Sequence, residues 1–203
     1  GSTSHNVVVV DGNNQAKTGA QALTRFESGE AKAFTMAAAS AGKAWPGVAW
    51  MRSVSVGATT AAVFDSLHSK EAHDYDWVFH CEGDRLVLSG AQSPAGGAEL
   101  GYTHFTGVKA FTTRRNAVLA VWSSDSGPGL HLYLEHTPGA VVFTGRCPAE
   151  TAARTVPVLV VRCHAVEASF AALLAPVAHA SGADLLEADA AEILGRFRNR
   201  LEK

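Results

Sequence analysis

Short runs of alternating apolar and polar side chains recur along the chain and are densest in its middle. Trp50-Met51-Arg52-Ser53-Val54-Ser55-Val56, Ala61-Ala62-Val63-Phe64-Asp65 and His73-Asp74-Tyr75-Asp76-Trp77-Val78-Phe79-His80 are three segments rich in β-branched and aromatic residues. Gly57-Ala58 separates the first two, and the polar stretch from Ser66 to Ala72 separates the last two. A period of two belongs to a strand with one buried face, so these segments predict an antiparallel meander.

The same pattern holds on both sides of the meander. His5-Asn6-Val7-Val8-Val9-Val10 predicts a strand, which Asp11-Gly12-Asn13-Asn14 ends in a tight turn. Gln15 to Ser28 is polar and reads as a loop or an irregular edge; Ala31 to Ala39 reads as a strand or a short helix, since alanine fits either. Downstream, strands are expected at Arg85 to Leu88, within Tyr102 to Thr113, and at Ala117 to Trp122, Leu130 to Leu134 and Ala140 to Thr144. Two more follow at Val156 to Cys163 and Ser169 to Pro176, and Gly90 to Gly101 reads as a small-residue loop. Val156 to Cys163 is nearly all apolar, the mark of a central strand or one buried on both faces. About ten to twelve strands suffice for two packed layers, so the expected fold is all-β, a two-sheet antiparallel β-sandwich.

From Gly182 the period changes. Leu186, Ile193, Phe197 and Leu201 fall close to one helical stripe, with Asp184, Glu187, Asp189 and Glu192 early and Arg196, Arg198 and Arg200 late. Acid first and base last suits the helix dipole. The expected organisation is therefore a β-sandwich over residues 1–180 and a C-terminal amphipathic helix over residues 181–203, packed on it or on a missing partner.

Composition narrows the classes. The 203 residues are 47% hydrophobic and 18% charged, which suits a domain with its own core. The net charge is −2, and apart from Arg114-Arg115 and the Arg196-to-Arg200 cluster the basic residues are scattered. Neither nucleic acid nor a membrane is expected as a partner. No run of about eighteen apolar residues predicts a membrane-spanning helix, and no signal peptide is read at the start. Gly1-Ser2 resembles a pair left by tag cleavage and no initiator Met precedes it, so the chain is expected to be a piece of something longer. Cys81, Cys147 and Cys163 are odd in number and lack a Cys-x-x-Cys spacing. That predicts buried free thiols rather than a disulfide framework or a zinc ribbon, one bridge with a leftover thiol remaining open.

Nine histidines invite a metal or acid–base reading, but their spacing does not support one. His131 and His136 are five apart, hence on opposite faces of a straight strand, and His68, His73 and His80 lie in different contexts. Alternation puts Asp74 and Asp76 on one face and His73 and Tyr75 on the other, so this is no ready chelate. There is no Gly-x-Ser-x-Gly elbow, phosphate loop or dinucleotide fingerprint, and Asp11-Gly12-Asn13-Asn14 lacks the acid that closes a calcium loop. No catalytic residue is assigned from these patterns.

One stretch is more specific. Ser4-His5-Asn6-Val7-Val8-Val9-Val10-Asp11-Gly12-Asn13-Asn14-Gln15 resembles the His-Asn-Thr-Val-x-Val-Asp-Gly-x-x-Gln stretch of the heparinase II/III-like polysaccharide lyases. The order that follows is similar too: Arg52 opening one strand, Phe64-Asp65 closing the next, then His73-x-Tyr75-Asp76-Trp77-x-Phe79-His80, and the closing runs at Val156 to Arg162 and Ser169 to Pro176. The resemblance covers most of residues 4–177. It implies an α-helical toroid followed by a β-sandwich, an enzyme that cleaves uronic-acid glycans such as heparin, heparan sulfate or alginate by β-elimination. It also implies a periplasmic or secreted location. The family's toroid supplies the Asn or His and the Tyr of catalysis, and the sandwich carries a zinc site.

The His of the His-Asn motif is one of those zinc ligands, so the resemblance implies that His5 is a metal ligand. The family's other zinc ligands, a His and an Asp, precede this motif, as does the toroid, and Val7 stands where Thr is usual. A structural zinc takes about four ligands and a catalytic one about three plus water. The expectation is thus that the chain by itself binds no zinc and is not an active lyase, its partners being a uronic-acid polysaccharide or oligosaccharide and the upstream toroid, on the same or a separate chain. A non-catalytic carbohydrate-binding or scaffold sandwich is the alternative. It would be favoured by exposed Trp or Tyr side chains on one face, with Trp45, Trp50, Trp77 and Trp122 the residues to inspect.

Overall fold

The computed structural model describes residues 2–16, 22–28, 34–89, 91–125, 127–149, 153–177 and 187–201. Twelve strands are formed among them: β1 (Val8–Val10), β2 (Ala22–Ser28), β3 (Phe34–Trp45), β4 (Val48–Val56), β5 (Ala61–His80), β6 (Arg85–Ser89), β7 (Ala91–Pro94), β8 (Thr106–Thr113), β9 (Ala117–Ser123), β10 (Gly129–His136), β11 (Val141–Pro148) and β12 (Thr155–Val177). A C-terminal helix, α1, covers Glu187–Leu201. Residues 31–33, Gly182, Asp184 and Leu186, which the sequence reading drew into elements, lie outside the described residues.

All the strand pairings are antiparallel, and two long strands organise them. β5 and β12 pair along nearly their whole lengths, from Val158 opposite His80 to Leu174 opposite Ala61. The first half of β5 carries β4, β3 and β2 on its other edge, and the second half of β12 carries β10, β9 and β6. The remaining halves carry β1 on β5 and β11, β8 and β7 on β12. One continuous sheet thus folds into two layers that share a pair of strands. This is the expected all-β sandwich.

Two sequence expectations are corrected here. The polar stretch from Ser66 to Ala72 is not a connection between strands but part of β5, and the segments ending at Cys163 and starting at Ser169 belong to one strand, β12. The bend needs an irregularity, and Ser69 to Ala72 on β5 stand opposite Val166 alone on β12. Such a bulge reorients the strand without ending its pairing. The Ser69 hydroxyl, buried in the bend, donates to the Glu71 carbonyl at 2.5 Å and pairs with the Tyr75 hydroxyl at 2.9 Å. Gln15 to Ser28 also differs from expectation, since Ala22–Ser28 pairs with β3 as a regular strand. Ala31 to Ala39 resolves as strand in its described part, Phe34 onward.

Alternation then sorts the side chains. Leu132, Leu134, Trp122, Trp77, Leu159 and Val161 fill the interior between the layers. On the outer face of one layer, Val158, Val160 and Phe143 are covered by Leu100 and Phe105 from the segment before β8. On the other, Leu173, Tyr133 and Ala62 receive Ala190 and Leu194 of α1, both fully buried. Arg198 fastens the helix by donating to Glu135 at 2.8 Å and by lying over the Phe64 ring. Val156 to Val161 are all buried, as a central strand requires. Cys147 and Cys163 are buried free thiols and Cys81 is a half-buried one. Burial pushes the Cys163 thiol up to about 12.

The interior holds one charged cluster. Asp65 is 2% exposed, directly opposite Arg52 in the β4–β5 ladder. Arg52 donates to both Asp65 oxygens, at 2.7 and 2.8 Å, and the indoles of Trp50 and Trp77 donate to one each, at 2.8 and 3.0 Å. Four donors meet the lone pairs of a carboxylate that burial alone would disfavour. Removing the carboxylate would strand four N–H groups, including those of two core tryptophans. Asp65→Ala is expected to lower unfolding stability in urea by about 3–5 kcal/mol, while Arg196→Ala, in an exposed pair with Glu192, should change it by less than about 0.5 kcal/mol. Equal effects of the two would refute this ranking.

Candidate functional site

A short 3₁₀ turn, Ser2–Ser4, and the bend after it bring the chain into β1 at one end of the sandwich. β1 pairs with the second half of β5, Val8 opposite Trp77, and the Val78 N–H donates to the Val7 carbonyl at 3.0 Å. Asp11 and Gly12 then take positive φ values of 50° and 69°, and the Asn13 N–H closes the turn on the Val10 carbonyl. Both central residues in the left-handed region make this the tight hairpin turn that Asp-Gly predicts.

The residues flanking His5 are fixed from several sides. The Asn6 side chain brackets the backbone of His80, accepting from its N–H at 2.8 Å and donating to its carbonyl at 3.2 Å. The remaining guanidinium arm of Arg52 donates to the Asn6 carbonyl at 2.8 Å, tying this segment to Asp65. On the other side, the Thr3 carbonyl accepts from His80 Nε2 at 2.9 Å, and the Thr3 hydroxyl pairs with His104 Nε2 at 3.0 Å. His5 lies between these anchors with its side chain exposed. Burial holds the His80 imidazole below its ordinary value of 6.5, and the nearby His5 and His104 add to the effect. Since Nε2 donates to a carbonyl, its other ring nitrogen carries the lone pair at neutral pH.

Two adjoining cavities open around this turn, with volumes of about 470 and about 440 Å³. Thr3, Ser4, His104 and Pro148 line both; Glu82 and Cys81 lie on one side and Tyr102 and Asn14 on the other. The wall bearing His104 is packed, its ring edge-on to Phe105 at 4.6 Å and tilted against Tyr102 at 6.1 Å between centroids.

The other polar residues singled out in the sequence serve elsewhere. Asp76 is fully buried and accepts from Arg162 through both oxygens, at 2.6 and 2.7 Å, and from the Tyr102 hydroxyl at 2.5 Å. Burial, with Asp76 beside it, pushes the Tyr102 hydroxyl well above the ordinary tyrosine value. His73 donates to Asp11 at 2.7 Å, and His164 donates to Asp74 at 2.9 Å. Burial works to raise the Asp11 carboxyl, but the bonds from His73 and from the Asp74 N–H leave it lowered. His68 pairs with Glu167 at the surface, and His131 and His136 are both buried. Trp45, Trp50, Trp77 and Trp122 are at most 8% exposed, so none offers a face to a ligand.

Among the described residues, no group of three or more His, Cys, Asp or Glu side chains is placed to hold a metal. Among the described residues, then, His5 is not joined by the further ligands that a zinc site takes. Also among the described residues, no helix is long and apolar enough to cross a membrane. The sequence reading missed Thr3 and His104. The only trace of His104 was its place in the aromatic run Tyr102-Thr103-His104-Phe105, and nothing local says that this run folds over the N-terminal turn.

This geometry can be set beside known proteins. No family model and no curated protein matches the sequence. Among solved structures the match is clear. The fold is that of a portion of heparinase III. One heparinase III structure superposes with a TM-score of 0.63 at 13% identity over 89% of this chain and 25% of its own. A second gives 0.59 at 15% identity, covering 86% and 24%. A mutant of the heparan sulfate lyase HepC from Pedobacter heparinus gives 0.61 at 12% identity, covering 87% and 24%. The chain thus spans about a quarter of each of these three structures.

The site's histidines set a pH dependence. Burial lowers His80 and, more simply, His136, which donates or accepts only to Thr137 and Thr113. A histidine lowered in the folded state takes up its proton first in the unfolded state, so stability is full above the ordinary value and falls as pH drops below it. The melting temperature is expected to be flat down to about pH 6.5 and to decline from there towards pH 5. His136→Gln and His80→Gln should each flatten that decline, and an unchanged slope in both would exclude these groups as its source.

Proposed function

We propose that this chain is the β-sandwich part of a heparinase III-like lyase that cleaves a uronic-acid polysaccharide by β-elimination. One observation carries the reading: nearly nine-tenths of the chain superposes on a quarter of heparinase III, with the His-Asn motif anchored at one exposed end of the sandwich. In β-elimination a base takes the proton beside the uronate carboxylate, a donor or cation stabilises the resulting charge, and an acid protonates the leaving oxygen. The reading makes the sandwich one wall of a cleft. An upstream helical toroid, on the same or a separate chain, would form the other wall and supply the acid–base groups.

On this reading His5 is the sandwich's contribution to a zinc site whose further ligands come from outside the chain, and zinc is absent from the chain alone. The intact enzyme would work in the periplasm or outside the cell, where such polymers are met. The test compares this 203-residue chain with the intact protein joined to its upstream segment. Ultraviolet absorbance of the unsaturated product from heparan sulfate and from alginate is followed for both, and bound zinc is measured. Product and zinc are expected with the intact protein and neither with the chain alone. Product from the chain alone, or an intact protein inactive on every uronate polymer, would overturn the proposal.

A further inference from the structure

The two cavities around the N-terminal turn carry a further reading, which rests on the lyase proposal for its ligand class. Their walls mix polar and apolar surface and are nearly without charge. Glu82 is the charged side chain among the described lining residues, and Arg154 is already paired with it. An anionic group entering here would give up its hydration, meet no arginine or lysine on the described walls, and face Glu82. An uncharged hydroxylated ring meets a better match. The hydroxyls of Ser4 and Thr3 can each donate and accept, and the imidazole of His104 lines both cavities beside them. The rings of Tyr102 and Pro148 give the apolar C–H face of a sugar a surface to lie on.

The arrangement is also fixed in advance. His104 is held by Thr3 through Nε2 and by Tyr102 and Phe105 through ring packing. Thr3 is held in turn by His80. Little conformational freedom is left to lose on binding, which favours even a small ligand. The volumes fall in the range of small-molecule sites, roughly 300–1,000 Å³.

We propose that this cleft is a subsite for an uncharged sugar ring of the bound glycan, read by Ser4, Thr3 and His104, and that it discriminates against a carboxylated or sulfated ring. The test is an NMR titration of the 203-residue chain with methyl glucoside, methyl glucuronide and glucose 6-sulfate, following the amides of Ser4 and His104. The glucoside should shift both amides along a saturating curve, and the two anions should bind at least about tenfold more weakly. Ser4→Tyr, which fills the opening, and His104→Ala should each weaken the glucoside by about tenfold or more with the melting temperature unchanged. Equal or tighter binding of an anion, no shift with the glucoside, or variants that bind like the parent would overturn the proposal. Product formation by the intact protein decides the lyase reading separately: elimination activity without glucoside binding here leaves that reading standing and removes this one.

Discussion

The structure depends on a carboxylate that has no water. Asp65 is buried between the two layers, where Arg52, Trp50 and Trp77 together surround it with donors. Trp50 and Arg52 come from β4, Asp65 from the first half of β5 and Trp77 from its second half, so one charge gathers both sides of the bend. The geometry tolerates little variation, because a lysine at position 52 would offer a point charge in place of a two-pronged fork. The third arm of the same guanidinium holds Asn6, which makes the exposed end of the molecule an extension of its core.

A second buried pair repeats the arrangement. Asp76 and Arg162 face each other across β5 and β12 on the outer side of the other layer, capped by Tyr102 from the segment preceding β8. That segment also brings His104 to Thr3. The cleft at the N-terminal turn is therefore shaped from two directions, by Arg52 acting through Asn6 and by Arg162 acting through the Tyr102 segment. Neither arginine lines it.

Much of the fold was legible because alternation is local. The strands around Trp50 to Val56, Ala117 to Trp122 and Leu130 to Leu134 announce themselves through side-chain period, and Asp11-Gly12 announces its turn through backbone preference. The two long strands did not. Ser66 to Ala72 has the composition of a loop, and pairing with β12, about a hundred residues away, and with β4 keeps it extended. The helix stripe of Ile193 and Phe197 was visible, whereas its seat against Leu173 and Tyr133 was not. The site divides the same way: His5-Asn6 is a local motif, but Thr3 with His104 and Arg52 with Asn6 are contacts between distant segments that no window of sequence contains.

The strands shared between the layers have a consequence for how the molecule comes into being. An ordinary sandwich can in principle assemble one sheet and then lay the other upon it. Here neither layer has a complete set of hydrogen-bonded neighbours until β5 has met β12, and β12 is the last strand among the described residues. Pairing of such distant segments requires closing a long loop before any contact compensates for it. The half-made sheet must wait, with the edge of β5 open, until β12 has been synthesised. The pair of strands that makes the layers inseparable also makes them slow to form.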